Sequence, residues 1–177
     1  MKISIITVSY NSSKTIKDTF DSMLSQTYNN IEYIVVDGNS KDKTLEIIGE
    51  YESKFIDKKI EFKWISEKDN GLYDAMNKGI KMATGDIVGI INSDDVYFDE
   101  FVIEKVVKAL ENNLTDSLYG NLYYVEENNT NKIVRNWKYK KYQNGLFEKG
   151  WQIAHPTFFV KKEVYEKIEQ QKNKGKL

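Results

Sequence analysis

Two adjacent carboxylates, Asp94 and Asp95, follow the apolar run at 87–91, with Asn92 and Ser93 between. Neighbouring carboxylates repel each other unless a cation or a hydrogen-bond network compensates. Their oxygens are preferred ligands of hard divalent ions such as Mn2+ and Mg2+. Other apolar runs end in polar residues too: Tyr10 and Asn11 after 2–9, Asp37 and Asn39 after 31–36, Glu67, Asp69 and Asn70 after 60–65. Acids and Asn favour turns and helix starts, which accounts for Asp37 or Asp69 taken singly and for the adjacent pair less well. No GxGxxG follows the first run and no GxxxxGK[ST] occurs, so a diphosphate bound here would need a metal on Asp94 and Asp95 for much of its neutralisation. Cysteine is absent and His155 is the single histidine, which excludes disulfides, thiol chemistry and a multi-histidine metal site.

The elements that must position these groups can be read from periodicity. Branched apolar runs at 2–9, 31–36, 60–65 and 87–91 predict buried strands. Between them lie helical stripes: Ile16, Phe20, Met23 and Leu24 after a Ser12 or Ser13 cap; Leu45, Ile48, Tyr51 and Phe55 after the first-turn acid Asp42. Leu72, Ala75, Met76, Ile80 and Ala83 form a third stripe that Gly85 ends, and Val102, Val106, Val107 and Leu110 a fourth, beginning near Asp99. Repeated strand–helix units with short connections predict an α/β fold on a mainly parallel sheet. Ligands of such sheets bind beyond the carboxyl ends of the strands, where the polar residues above converge. The runs 118–125 and 132–139 predict a hairpin, 140–151 a loop, 155–160 a short strand, and 161–177 a helix that frays.

The chain has 177 residues, 40% hydrophobic and 30% charged, with a formal net charge of -1. That size buries a core in one domain without staples, and near-neutrality removes the usual electrostatic case for a nucleic-acid partner. The longest apolar stretch falls far short of a spanning helix, and no signal peptide is visible. These features predict a soluble, cytoplasmic protein, with peripheral contact at the inner face of the membrane left open; the tail lysines are solvated or favour an anionic lipid surface.

The sequence resembles the family 2 glycosyltransferases of GT-A fold, in particular members that assemble polysaccharides. Thr7-Val8-Ser9-Tyr10-Asn11 is similar to the family's opening strand and nucleotide-contacting turn. The segment Val36-Asp37-Gly38-Asn39-Ser40-Lys41-Asp42-Lys43-Thr44 resembles D-G-x-S-x-D-x-T. Ser66-Glu67-Lys68-Asp69-Asn70-Gly71-Leu72-Tyr73-Asp74-Ala75-Met76-Asn77-Lys78-Gly79 is close to a stretch of that subgroup. Asn92-Ser93-Asp94-Asp95 stands at the DXD-type metal motif, and His155-Pro156-Thr157-Phe158-Phe159 also recurs there. The match runs in order from residue 2 to about 168.

The resemblance implies inverting glycosyl transfer from a nucleotide-diphosphate sugar, usually a UDP sugar, to a glycan or lipid-linked acceptor in cell-surface polysaccharide synthesis. Carried over, Thr7, Tyr10 and Asp37 hold the base, Asp94 faces the ribose or sugar, and Asp95 ligates Mn2+ or Mg2+. Asn11, Asp69 and Asn77 join the substrate-binding set from the matched stretches. Asn39, Lys41 and Lys43 depart from the commoner Gly, Thr and Gly. The subgroup's general base lies after a downstream G-x-F-D stretch, which has no counterpart here. The resemblance thus implies a truncated chain: one domain over 1–177, with a nucleotide-sugar-binding half at 1–112 and an incomplete acceptor-side half at 113–177. One rival reading is an impaired fragment that only binds donor. Another is a receiver-type signalling domain, which needs an acidic pair after the first strand, where Tyr10 and Asn11 stand. His155 is either a packed structural histidine or an acceptor-site group, and Trp137, Tyr139, Tyr142 and Trp151 are either a sugar-stacking platform or ordinary hairpin and loop aromatics.

Overall fold

The computed structural model describes residues 1–112, 115–126 and 129–174. Strand β1 (Ile3–Ser9) is buried on both faces. Its odd residues Ile3 and Ile5 enter one core and its even residues Ile6 and Val8 another, as strand alternation requires. Parallel partners β2 (Ile31–Asp37) and β4 (Ile87–Asn92) flank it, and β3 (Glu61–Ser66) pairs parallel outside β2. The register sets Ser9 beside Asp37 and Asp37 beside Ser66, so three strand ends finish level.

Helices α1 (Ile16–Leu24), α2 (Thr44–Asp57) and α4 (Val102–Asn112) pack the odd face around Phe20, Phe55 and Val107, while α3 (Leu72–Met82) covers the even face with Ala75 and Met76. After α4 the chain returns antiparallel. The two-residue β5 (Ser117–Leu118) pairs with β8 (Phe159–Lys161), and β8 with β4, giving the order β3-β2-β1-β4-β8-β5. Between them β6 (Leu122–Glu126) and β7 (Asn129–Trp137) form a separate antiparallel ribbon, and α5 (Lys162–Lys174) follows β8. Strands from both sides of residue 112 thus share one sheet. No helix among the described residues is long and apolar enough to cross a membrane.

Local expectations are corrected at several places. Neither Ser12 nor Ser13 caps α1 with its side chain; the Ser12 carbonyl accepts from Thr15 and Ile16, so the helix starts a turn late. Leu72 opens α3 but is exposed, because the inward stripe starts at Ala75. Gly85 does not end α3; a Cβ there would lie 2.8 Å from the Ser4 nitrogen, so its smallness lets the chain pass β1. The run 118–125 splits, its first residue joining the main sheet, 119–121 connecting, and 122–125 joining the ribbon. The run 155–160 begins as a 3-10 turn, His155–Thr157, around Pro156. The last residues of the tail expected to fray, 175–177, lie outside the described residues.

Candidate active site

The strand ends meet on the carboxylate of Asp37, which is wholly buried. Oδ1 accepts from the Ser9 hydroxyl (3.1 Å) and the Ser40 hydroxyl (2.5 Å), and Oδ2 from the Ser40 backbone N–H (2.9 Å) and the Ser66 hydroxyl (2.7 Å). One side chain thus ties β1, β2 and β3 together. Asn11 and Asn39, both at positive φ, bend the two following loops toward each other. The Asn11 N–H donates to Ser40 Oγ at 2.8 Å, and the Lys41 N–H returns a bond to Asn11 Oδ1 at 2.8 Å. Ser13 N–H and the Thr44 hydroxyl converge on Asp42, whose carboxyl these bonds hold far below the usual range although burial opposes them.

Above this joint Tyr10 is 65% exposed. Its ring faces Gly38, where a Cβ would stand 3.3 Å from Tyr10 Cδ2 and 2.6 Å from Asp69 Oδ2. Only glycine lets these two side chains close over the β2 end. Asp69 spends its other oxygen on the Gly71 N–H, at 2.9 Å. Tyr10, Gly38 and Asp69 form a shallow wall with an aromatic face and a free carboxylate oxygen.

Beyond β4 the two carboxylates are treated differently. Asp94 is exposed and has no hydrogen-bond partner among the described residues. Asp95 is half-buried; its Oδ2 accepts from Asn92 Nδ2 at 2.8 Å, and its carbonyl from the Thr19 hydroxyl at 2.8 Å. Burial first, and then the charge of Asp94, pushes the Asp95 carboxyl above the ordinary value. A bound cation would relieve both causes. No cluster of three or more metal-ligating side chains occurs among the described residues, so a cation held by these two carboxylates would need its other ligands from substrate oxygens and water. The Asn92 amide also meets His155 Nε2, at 3.0 Å from Nδ2. Ser93, nearly buried, shares a 2.7 Å hydroxyl bond with Ser12 and so binds the β4 end to the β1 end. A cavity of about 680 Å³ opens beside Asp94 and Asp95, walled by Val102 and Val106 of α4, Leu122 and Tyr123 of the ribbon, and Phe159.

Of the expected site residues, Tyr10, Asn11, Asp37, Asp69, Asp94 and Asp95 all lie along this edge. Two of the expected residues sit deeper than the rest. Thr7 is wholly buried, its hydroxyl 2.8 Å from that of Tyr33 inside the core, so its side chain does not reach a base. Asp37 reaches the edge with both carboxylate oxygens taken up by four hydrogen bonds among the described residues. Asn77, a turn and a half into α3, is exposed and shares no hydrogen bond with the strand ends. Asn92 and Ser93 stand at the β4 end with the acid pair, as the motif implied, while Ser40 and Ser66 lie in the matched stretches without an assigned role and Ser12 had none; the bonds of these serines span 3 to 81 residues and leave no local signal. His155 is both exposed and hydrogen-bonded to Asn92, which joins the two readings of it. Of the four aromatics, Tyr139, Tyr142 and Trp151 join one ring cluster through Tyr119, while Trp137 lies under Arg135.

Residues 4–169 match the family described as Glycosyl transferase family 2. An uncharacterized glycosyltransferase of Methanocaldococcus jannaschii is 31% identical over 173 residues, which are 94% of this chain and 58% of that protein. The UDP-Glc:alpha-D-GlcNAc-diphosphoundecaprenol beta-1,3-glucosyltransferase WfgD of Escherichia coli is 34% identical over 132 residues, 75% of this chain and 49% of that one. TarS of S. aureus, crystallised with UDP-GlcNAc, superposes with a TM-score of 0.60 at 28% identity, covering 67% of this chain and 34% of TarS. The mannosyltransferase PcManGT from Pyrobaculum calidifontis, in complex with GDP-Man and Mn2+, shares the fold, with a TM-score of 0.71 at 20% identity over 94% of this chain and 46% of that one. The chain spans about half the length of these two curated relatives, 58% and 49%.

Proposed function

The chain belongs to glycosyl transferase family 2 and has the GT-A fold, and from that premise we propose that it transfers a glycosyl group from a nucleotide-diphosphate sugar, with inversion, to a glycan or lipid-linked acceptor in cell-surface polysaccharide synthesis. The observation that carries this reading is the pair Asp94 and Asp95, one free and one held by Asn92, at the end of β4 beside a cavity. The UDP-GlcNAc in TarS and the UDP-Glc in the name of WfgD favour a UDP sugar as donor.

Tyr10 stacks on the base, and the free oxygen of Asp69 accepts from base or ribose. Asp37 acts from below by holding the strand ends that carry both. Asp94 turns to the ribose or sugar, and Asp95, fixed by Asn92, is the principal cation ligand. A divalent cation, Mn2+ or Mg2+, supplies neutralisation of the charge gathering on the leaving diphosphate. Nothing on this edge resembles a phosphate loop, so affinity for the donor's diphosphate would rest on the cation that these carboxylates would hold.

Calorimetric titration of UDP in Mn2+ and in chelator tests the reading: binding should be strong only with the cation, and Asp95→Asn should remove most of the difference. Equal affinity in both conditions overturns the assignment. One observation favours a second reading, donor binding without efficient transfer. Among the described residues the cavity is lined by no acid besides Asp94 and Asp95, both on the donor side, and a positioned proton acceptor typically contributes about 10²–10⁴-fold in rate. Transfer to a supplied acceptor, measured beside donor binding, separates the two.

A further inference from the structure

On the acceptor side, the segment from Lys138 to Trp151 alternates rings and cations. Tyr139, Tyr142 and Phe147 are 58%, 46% and 53% exposed, unusual for rings that also pack together. Phe147 lies 5.3 Å from Trp151 and Tyr142 5.7 Å from Phe147, so the rings form a continuous face. Around them Lys138, Lys140, Lys141 and Lys149 are exposed, and none pairs with a carboxylate among the described residues. Some lysines elsewhere, among them Lys63, Lys78, Lys105 and Lys108, lie against acids. Glu148 is the segment's single acid, in a chain whose net charge is only -1, so the positive charge is local.

We propose that this face docks the protein onto an anionic lipid surface. Amphipathic rings set among unpaired lysines suit the boundary between headgroups and acyl chains: the rings enter the interface while the ammonium groups stay at the phosphates. An anionic partner satisfies the charges and the lipid boundary satisfies the rings; a soluble polyanion without a stacking face meets only the first need. The patch is anchored beside the cavity, since the Tyr119 hydroxyl donates to the Lys140 carbonyl at 3.0 Å and the Tyr139 N–H to Asn121 Oδ1 at 2.9 Å. Gly120 and Asn121 line that cavity. Docking does not depend on the proposed transfer reaction, though it would bring a lipid-linked acceptor to the right side of the molecule.

Flotation with phosphatidylcholine vesicles, with and without phosphatidylglycerol, tests this on the full chain. Binding is expected only to the anionic vesicles and should weaken with salt. Lys140→Ala with Lys141→Ala should cut it about thirtyfold, at about 1 kcal/mol per lysine near such a surface. Tyr139→Ser should weaken the part that resists salt. These side chains are exposed, so circular dichroism and UDP titration should be unchanged, and the titration reports the transferase reading separately. Equal binding to neutral vesicles, or binding indifferent to the lysine change, overturns the proposal. So does capture by dextran sulfate through the same lysines without vesicle binding, which would make the face a polyanion site.

Discussion

Two residues on the candidate site edge, Asp37 and Tyr10, act there in opposite ways. Asp37 is buried with four hydrogen bonds, and its removal would leave Ser9, Ser40 and Ser66 without their acceptor. Asp37→Ala should therefore cost about 2–4 kcal/mol in urea unfolding, the scale of a broken buried polar network. Tyr10 contributes little to the core. Tyr10→Ala should leave the urea midpoint unchanged and weaken UDP binding about tenfold, if the ring stacks on the base as proposed. Residue type and place in the chain pointed to both side chains, but their different duties depend on burial, which a turn motif does not disclose. Thr7 shows the same limit: in a strand sealed on both faces, one position moves a hydroxyl from the edge into the core.

At the scale of elements, the four strands and the helical stripes were legible because each rests on local periodicity. What was not legible depends on contacts distant in sequence. The run 118–125 reads as one strand, yet Leu118 pairs with Phe159 and Leu122 with Trp137. Gly89 marks where β8 crosses β4: a Cβ there would lie 2.5 Å from the Phe159 ring. Gly89→Val should push β8 off the sheet and cost about 1–3 kcal/mol, measured as a lower urea midpoint. At the opposite ends of the strands Glu32 is buried among Lys63, Ser4 and Thr84. Burial alone would raise its pKa, but these hydrogen bonds outweigh it and bring the carboxyl to about 2, from the usual 4.5. Because the folded value is the lower, the stabilisation is complete above about 4.5 and is lost as pH falls toward about 2. The loss is on the order of 3 kcal/mol, and Glu32→Gln should flatten that part of the stability–pH curve in urea titrations.

Across the whole molecule, stability is uneven. Among the described residues the strands β6 and β7 pair with each other in a two-stranded sheet apart from the main one, and Ile133 and Val134 are 51% and 58% exposed. Its amides should lose protection in hydrogen exchange at far lower denaturant than those of β1, which is flanked by strands on both sides. Simultaneous loss of protection in both would make the ribbon part of one cooperative unit. This gradient gives the Asp37 joint a mechanical meaning. Since β1, β2 and β3 end on one carboxylate, the wall bearing Tyr10 and Asp69 should move as one rigid body. The ribbon, whose Leu122 and Tyr123 line the cavity beside Asp94 and Asp95, is the compliant side. On the proposed reading a nucleobase would bind with little rearrangement, and any shape change on ligand binding would fall on the ribbon side. Ligands differing only in the base should leave the same imprint on the protein's motions, whereas ligands differing in the sugar should not.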